Sequence, residues 1–263
     1  DGHRIVAEIA YDNLSPQAKK KVDELTYQAD KTYTGRSRFL YISTWADRIR
    51  MQDDHRFDSY HYISLPISEH GAPTKSPDKR NVVWAIEKAK HVLADPTATF
   101  EEQQLYLKLL VHCVGDVHQP LHAANRFTFA TPNGDYGGNR FMIYSAHHQK
   151  MSLHCLWDGG LGMFSFYDKR YPIHATKIRK VASNLERRYS HVRFGLTEIS
   201  KPTIAWAQES HALAQHFVYR AHENGAQGGD YIGRGQLICE QQLALAGYRL
   251  AHVLNAIYMG ESV

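Results

Sequence analysis

Long apolar stretches and cysteines are both scarce in this chain of 263 residues. No apolar run approaches the roughly 20 residues that a membrane-spanning helix needs, so we expect no membrane span. The three cysteines, Cys113, Cys155 and Cys239, are too few for a disulfide framework and allow at most one bridge. Residues 1–4 lack the apolar segment of a signal peptide, so we expect a protein that either stays inside the cell or has been processed.

Strand patterns are also few, and the sequence has no internal repeat and no low-complexity tract. Hydrophobic residues make up 43% and charged residues 22%, as in ordinary globular proteins, which excludes disorder, collagen and coiled coil for the whole chain. Apolar residues recur at helical spacing, most clearly in 36–50, 99–118, 202–223 and 236–259. The glycine-rich segment 225–235 predicts a loop, and 126–145 predicts a hairpin or a long ordered loop. The predicted fold is therefore all-α: a single, mainly helical domain over residues 1–263 with a short β-hairpin or long loop insertion.

Histidine is the residue present in excess, with 17 copies against 31 lysines and arginines. Imidazole is the commonest metal ligand in proteins and titrates near neutral pH. The formal net charge of +4 suits an anionic substrate without requiring one. Composition alone thus indicates metal chemistry without establishing it.

Two histidine–aspartate pairs stand four residues apart on helical patterns, His112 with Asp116 and His154 with Asp158. Residues at this spacing share one helix face, so both side chains of a pair can reach one metal ion. Such pairs are more often surface ion pairs, but both of these lie among apolar residues, where a charge is costly unless it is paired or metal-bound. The spacing leaves the metal and the reaction open.

Six segments, in this order along the chain, resemble one known family. They are Gly2-His3-Arg4-Ile5-Val6-Ala7, Trp45-Ala46-Asp47-Arg48-Ile49-Arg50, His61-Tyr62, His112-Cys113-Val114-Gly115-Asp116-Val117-His118-Gln119-Pro120-Leu121-His122, Gly137-Gly138-Asn139 and Leu153-His154-x-x-Trp157-Asp158. This pattern resembles the zinc-dependent S1/P1 nucleases, which include fungal single-strand nucleases and plant bifunctional nucleases. The family is related in fold to bacterial zinc phospholipases C. The last hundred residues match it only as helices.

The resemblance implies three zinc ions in one cleft. It implies that the first ion is held by Asp47, His61, His112 and Asp116, and the second by His122, His154 and Asp158. The third is held by His3, by Asp116 as a bridge and by an N-terminal Trp five residues before the ligand histidine. This chain begins two residues before His3. We therefore expect either that three mature residues precede Asp1 or that the third site is incomplete; if Asp1 is the terminus, its amine and His3 would instead form a Cu²⁺ or Ni²⁺ chelate.

The resemblance also implies the reaction. Single-stranded DNA and RNA are hydrolysed to 5′-phosphate products, and 3′-nucleotides lose phosphate, by attack of a metal-bound hydroxide. Asp47 and Asp116 are then the catalytic carboxylates that hold the metals, and Arg50 contacts the phosphoryl group.

Three further residues are implied to bind substrate. Tyr62 aligns with an aromatic residue on which a base stacks, and Asn139 donates to phosphate or base. Ser64 stands where fungal relatives have an aspartate that recognises adenine. Because a hydroxyl is a weaker and less selective partner, we expect a looser base preference.

The implied substrates are single-stranded nucleic acid and 3′-nucleotides, with no obligate protein partner, and the implied location is secreted or periplasmic. Two alternatives remain at this point. A zinc phospholipase C would use nearly the same metals on phospholipid head groups, and a metal-binding or DNA-binding module would bind without turnover. The Trp-Ala-Asp, His-Tyr and Gly-Gly-Asn segments favour the nuclease.

Overall fold

The computed structural model describes residues 1–27, 33–145, 148–164 and 175–260. Helices dominate these residues, which confirms the all-α prediction. The twelve α-helices of the described ranges are α1 (Gly2–Asp12), α2 (Pro16–Thr26), α3 (Arg36–Ile42), α4 (Trp45–Arg50), α5 (Val82–Ala94), α6 (Phe100–Val117), α7 (Leu153–Asp158), α8 (Ala175–Arg188), α9 (His191–Phe194), α10 (Leu196–Ile199), α11 (Thr203–His216) and α12 (Gly229–Met259). The strands are β1 (Pro66–Ser68), β2 (Asn125–Phe127), β3 (Met142–Tyr144) and β4 (Lys150–Ser152). The single-domain assignment stays a prediction.

Local capping explains where the helices that bear site residues begin. The Thr99 hydroxyl accepts from the Glu102 backbone N–H, and the Glu102 carboxylate accepts from the Thr99 N–H, which forms a capping box at the start of α6. Ser152 caps α7 by accepting from the Cys155 N–H. Each cap satisfies backbone donors that have no partner within the helix.

Three predicted helix boundaries were wrong. Segment 36–50 forms two helices, because the chain turns at Ser43 and Thr44. Segment 202–223 leaves helical geometry at Phe217, where φ is −134°. Helix α12 begins at Gly229, inside the segment predicted as a loop. Its first turns pack beside residues 160–162, where the Gln236 amide donates to the Leu161 carbonyl, and this tertiary contact overrides the weak helix propensity of glycine.

Segment 126–145, predicted as a hairpin or a long ordered loop, is an ordered loop whose two ends pair with strands outside the segment. Strand β2 pairs in parallel with β1, so that Ile67 lies opposite Arg126. Strand β3 pairs with β4 as a short antiparallel hairpin, with Ile143 opposite Met151. Residues 128–141 form the connecting loop between these two pairings.

Helix α6 lies in the middle of the main core, where residues 109–114 are all buried. It packs against α5, α1 and α12, and α1 also packs along α12. The end of α6 and the start of α1 therefore lie side by side. None of the described helices is long and apolar enough to cross a membrane. The three cysteines are free thiols.

Candidate metal centre

The candidate site is a cavity of about 900 Å³ that opens where the start of α1, helix α4, the end of α6 and helix α7 meet. Its walls include the Arg50 side chain and seven of the eight predicted metal ligands: His3, Asp47, His61, Asp116, His122, His154 and Asp158. The eighth, His112, is fully buried directly behind them. The fold thus brings together all eight side chains from separate parts of the sequence.

The first group contains Asp47, His61, His112 and Asp116. Nδ1 of His61 lies 3.0 Å from Nε2 of His112, and the two nitrogens lie 3.0 and 3.1 Å from Oδ2 of Asp116. Oδ1 of Asp47 is 3.5 Å from Nε2 of His112 and 3.8 Å from Nδ1 of His61. Ligand atoms about 2.0–2.1 Å from a tetrahedral zinc ion lie about 3.3 Å apart, so Asp47, His61 and His112 have the spacing to hold one zinc ion, and Asp116 contacts both imidazoles.

Asp116 is shared between this group and a second set of imidazoles. Its Oδ1 lies 3.3 Å from Nε2 of His3, whose ring stacks on His112 with ring centroids 4.0 Å apart. The same oxygen is 3.6 Å from Nδ1 of His122. Burial alone would raise the pKa of Asp116, but His112, His122 and His3 lower it well below its ordinary value. The carboxylate is therefore ionised, with one oxygen beside each set of imidazoles.

The remaining group contains His122, His154 and Asp158. Oδ1 of Asp158 is 3.6 Å from Nε2 of His122, and Oδ2 is 3.4 Å from Nε2 of His154. The two imidazole rings lie 4.8 Å apart. These three side chains also have the spacing to hold one metal ion.

Backbone carbonyls fix the orientation of three imidazoles. Nδ1–H of His112, His122 and His154 donates to the carbonyl oxygens of Ser43, His61 and Gly137, at 2.8, 2.6 and 2.7 Å. Because Nδ1–H is bound to a carbonyl, Nε2 is the ring nitrogen directed into the site. Metal-binding histidines commonly have this outer hydrogen bond, which fixes the tautomer and the ring direction.

The charges of the site favour a cation. Burial would lower the pKa of His112 and His122, but the Asp116 carboxylate raises them to about 9 and about 10. Surroundings that favour the charged form of a buried imidazole so strongly will also attract a metal ion. The donor set of nitrogen and carboxylate oxygen suits Zn²⁺.

The family of this chain follows from its similarity to known proteins. The sequence profile described as S1/P1 nuclease matches residues 1–259. The chain belongs to the S1/P1 nuclease family. The predictions of the family and of a nuclease hydrolase are therefore confirmed.

Relatives in plants and fungi cover the chain to different extents. Endonuclease 3 of Arabidopsis thaliana is 32% identical over 160 residues, a match that spans 58% of this chain and 51% of that protein. Endonuclease 4 of the same plant is 31% identical over 285 residues, or 98% of this chain and 88% of that protein. Nuclease P1 of Penicillium citrinum is 25% identical over 281 residues, a match that spans 99% of this chain and 97% of that protein. The similarity thus includes the C-terminal helices, beyond the motifs.

Two glycines allow the close approaches on which this S1/P1-family site depends. A Cβ atom on Gly115 of α6 would lie 2.5 Å from Nδ1 of His3, so glycine lets α1 place the imidazole directly against α6. Gly137 has φ of +63°, and its Cβ would lie 2.4 Å from the Leu121 carbonyl. Its own carbonyl accepts from His154. Gly137 therefore serves to hold a candidate ligand in place.

Gln119 is a site residue that the sequence reasoning missed. Its Nε2 donates to Oδ1 of Asp158 at 2.8 Å, while its Oε1 accepts from the Leu121 N–H at 2.6 Å. The side chain thereby joins the segment after α6 to the carboxylate at the end of α7. Its place between His118 and Pro120 in the most specific motif was the available signal.

Of the predicted substrate residues, only Arg50 lines the cavity, and its Nε lies 3.4 Å from Oδ1 of Asp58. Tyr62, Ser64 and Asn139 lie outside the cavity walls. Tyr62 is 42% exposed, Ser64 is half-buried, and the exposed Asn139 donates Nδ2–H to the Tyr136 carbonyl.

The segments of these outlying residues are nevertheless attached to candidate ligands. The Ile63 N–H donates to the His122 carbonyl, which fixes the backbone between Tyr62 and Ser64. The Gly137 carbonyl, two residues before Asn139, accepts from His154. The roles of these three residues, and of the eight candidate ligands, stay predictions.

Proposed function

We propose that this nuclease is a zinc-dependent phosphodiesterase that hydrolyses single-stranded DNA and RNA to 5′-phosphate products and has 3′-nucleotidase activity. The proposal rests on one observation, the convergence of five imidazoles and three carboxylates on one cavity. The relatives named as nucleases and endonucleases support a nucleic-acid substrate. Secretion or periplasmic export, implied by the family resemblance, belongs to the same proposal.

The proposal includes three zinc ions. Asp47, His61, His112 and Asp116 would hold the first, and His122, His154 and Asp158 the second. His3 and Asp116 would contribute to the third. When bound, zinc supplies Lewis acidity, which lowers the pKa of coordinated water and offsets the negative charge of a phosphodiester.

The protein's own residues bind and orient the substrate. Arg50 reaches the cavity with its Nε beside Asp58, which leaves Nη1 and Nη2 for phosphate oxygens. The exposed ring of Tyr62 offers a face on which an unpaired base stacks, and such stacking tolerates all four bases. Ser64 and Asn139 would add hydrogen bonds near that base, and Ser64 would discriminate weakly.

Replacing Arg50 with alanine is expected to lower kcat about 10²–10³-fold, because a preorganised donor to the reacting phosphate is lost. Arg50→Lys should recover part of this loss, since lysine keeps the charge but cannot donate through a planar fork. Steady-state kinetics on a short single-stranded oligonucleotide measure both values. Unchanged kcat in Arg50→Ala, with only KM raised, would place Arg50 in ground-state binding instead.

Bound zinc and activity are expected to fall together as the pH is lowered. Imidazole ligands bind metal only when deprotonated, so protons compete with zinc on the acid side and not on the basic side. Zinc retained after desalting at a series of pH values, measured beside the rate, checks this. Activity that persists at a pH where zinc has been lost contradicts it.

The function itself is tested by assaying one preparation on single-stranded DNA, double-stranded DNA, RNA, a 3′-nucleotide and phosphatidylcholine. We expect hydrolysis of both single-stranded polymers and of the 3′-nucleotide, with 5′-phosphate ends on the polymer products. Turnover of phosphatidylcholine alone would support the phospholipase C alternative. Binding of single strands without turnover would support a non-enzymatic module.

A further inference from the structure

The C-terminal end of α6, which bears Asp116, is held by side chains from α11 and α12. The Ser210 hydroxyl donates to the Val117 carbonyl at 2.6 Å, and Nε2 of Gln242 donates to the His118 carbonyl at 3.2 Å. Nδ1–H of His118 donates to the Val114 carbonyl at 2.7 Å. These bonds satisfy carbonyls that have no partner within the helix, so the end of α6 has a defined position.

Arg249 of α12 is fully buried at the same place. Its Nη1–H donates to Nε2 of His118 at 2.9 Å, which is the free acceptor because Nδ1 carries the proton. Its Nη2 donates to Oε2 of Glu209 at 2.7 Å and to the Glu198 carbonyl at 3.0 Å. The guanidinium thus joins α10, α11 and α12 to the end of α6, where a positive charge also interacts favourably with the helix dipole.

His118 lies between two candidate ligands, two residues after Asp116 and four before His122. Nε2 of His118 binds Arg249, so this imidazole is a link between the C-terminal helices and the metal segment. The Trp206 ring packs against both His118 and Arg249, with the ring centroid 5.5 Å from the imidazole centroid and 5.3 Å from the guanidinium carbon. The Trp206 ring therefore packs on both partners of the hydrogen bond between Arg249 and His118.

We propose that Arg249 is a positioning residue: through His118 it fixes the end of α6 and so sets the affinity with which Asp116 and His122 bind zinc. The inference rests on the proposed zinc site. A buried arginine adds little to stability over apolar residues of similar volume, which favours a role in placing its partners. The C-terminal helices, which supply none of the eight candidate ligands, thereby gain a function in the site.

The test compares Arg249→Met, Arg249→Lys and a matched control, Lys201→Gln, in the full chain. Lys201 binds the same two acids as Arg249, Glu198 and Glu209, through its Nζ, whereas His118 is bound by the arginine. Zinc affinity is measured by competition with a chromophoric chelator, and the Tm of each protein is measured after metal removal. A merely structural role would lower the metal-free Tm without changing the zinc affinity of the folded protein.

We expect Arg249→Met to weaken zinc binding about 10–100-fold, as loss of outer contacts to metal ligands typically does. Arg249→Lys should weaken it less, since lysine keeps the charge. It should not restore wild-type affinity, because one ammonium cannot bond His118 and Glu209 in the same planar geometry. Lys201→Gln should stay within about twofold of wild type. If Arg249→Met does not fold, Arg249→Lys decides, and wild-type affinity in the variant that folds overturns the inference. A wild-type protein that binds no zinc overturns the proposed function instead.

Discussion

Asp116→Asn is expected to lower kcat/KM on single-stranded DNA at least about 10³-fold. Oδ2 of Asp116 lies 3.0 and 3.1 Å from the nitrogens of His61 and His112, and Oδ1 lies 3.3 Å from His3. Asparagine keeps the shape but removes the charge and replaces one oxygen with an NH₂ group, which cannot bind metal. Metal ions contribute several kcal/mol to hydrolysis, and each 1.4 kcal/mol is about tenfold in rate.

The control for this prediction is Asp230→Asn. Asp230 is an exposed carboxylate in the first turn of α12, outside the cavity walls, and its replacement should leave kcat/KM within about twofold. Zinc content measured on both variants should show a deficit only in Asp116→Asn. If Asp116→Asn hydrolyses DNA within tenfold of wild type, the shared carboxylate is not needed for the reaction.

Exhaustive chelation is expected to abolish hydrolysis and to lower the Tm by roughly 10 °C or more. A ligand at a thousand times its Kd stabilises the native state by about 4 kcal/mol, and 1 kcal/mol shifts the Tm of a protein near this size by about 2–4 °C. Differential scanning calorimetry beside a rate assay measures both effects.

Adding zinc back should restore both the rate and the Tm. Magnesium should restore neither, because it prefers an octahedral set of oxygen ligands and the candidate site offers mainly imidazole nitrogen. Hydrolysis that survives chelation, or a Tm that chelation leaves unchanged, would contradict the assignment of these residues to metal.

The sequence allowed the helical class and two His–Asp pairs of the site to be predicted because both depend on short-range patterns. The pair His112 and Asp116 shares a helix face by spacing alone, and Thr99 with Glu102 marks the start of that helix. Resemblance to a family then suggested how distant motifs combine. The structure places those motifs around one cavity.

Features that depend on tertiary contacts could not be predicted. Arg249 and His118 are 131 residues apart, and no local pattern joins them. The start of α12 at Gly229 depends on packing against another segment, which overrides propensity. The need for glycine at position 115 depends on His3, which the fold places against it from a distant part of the chain.

The most direct measurement is anomalous scattering at the zinc absorption edge from crystals of the protein grown with zinc. We expect one peak among Asp47, His61, His112 and Asp116, a second among His122, His154 and Asp158, and a third beside His3 and Asp116. A crystal grown with zinc that shows no anomalous peak between these eight side chains would contradict the proposed metal centre.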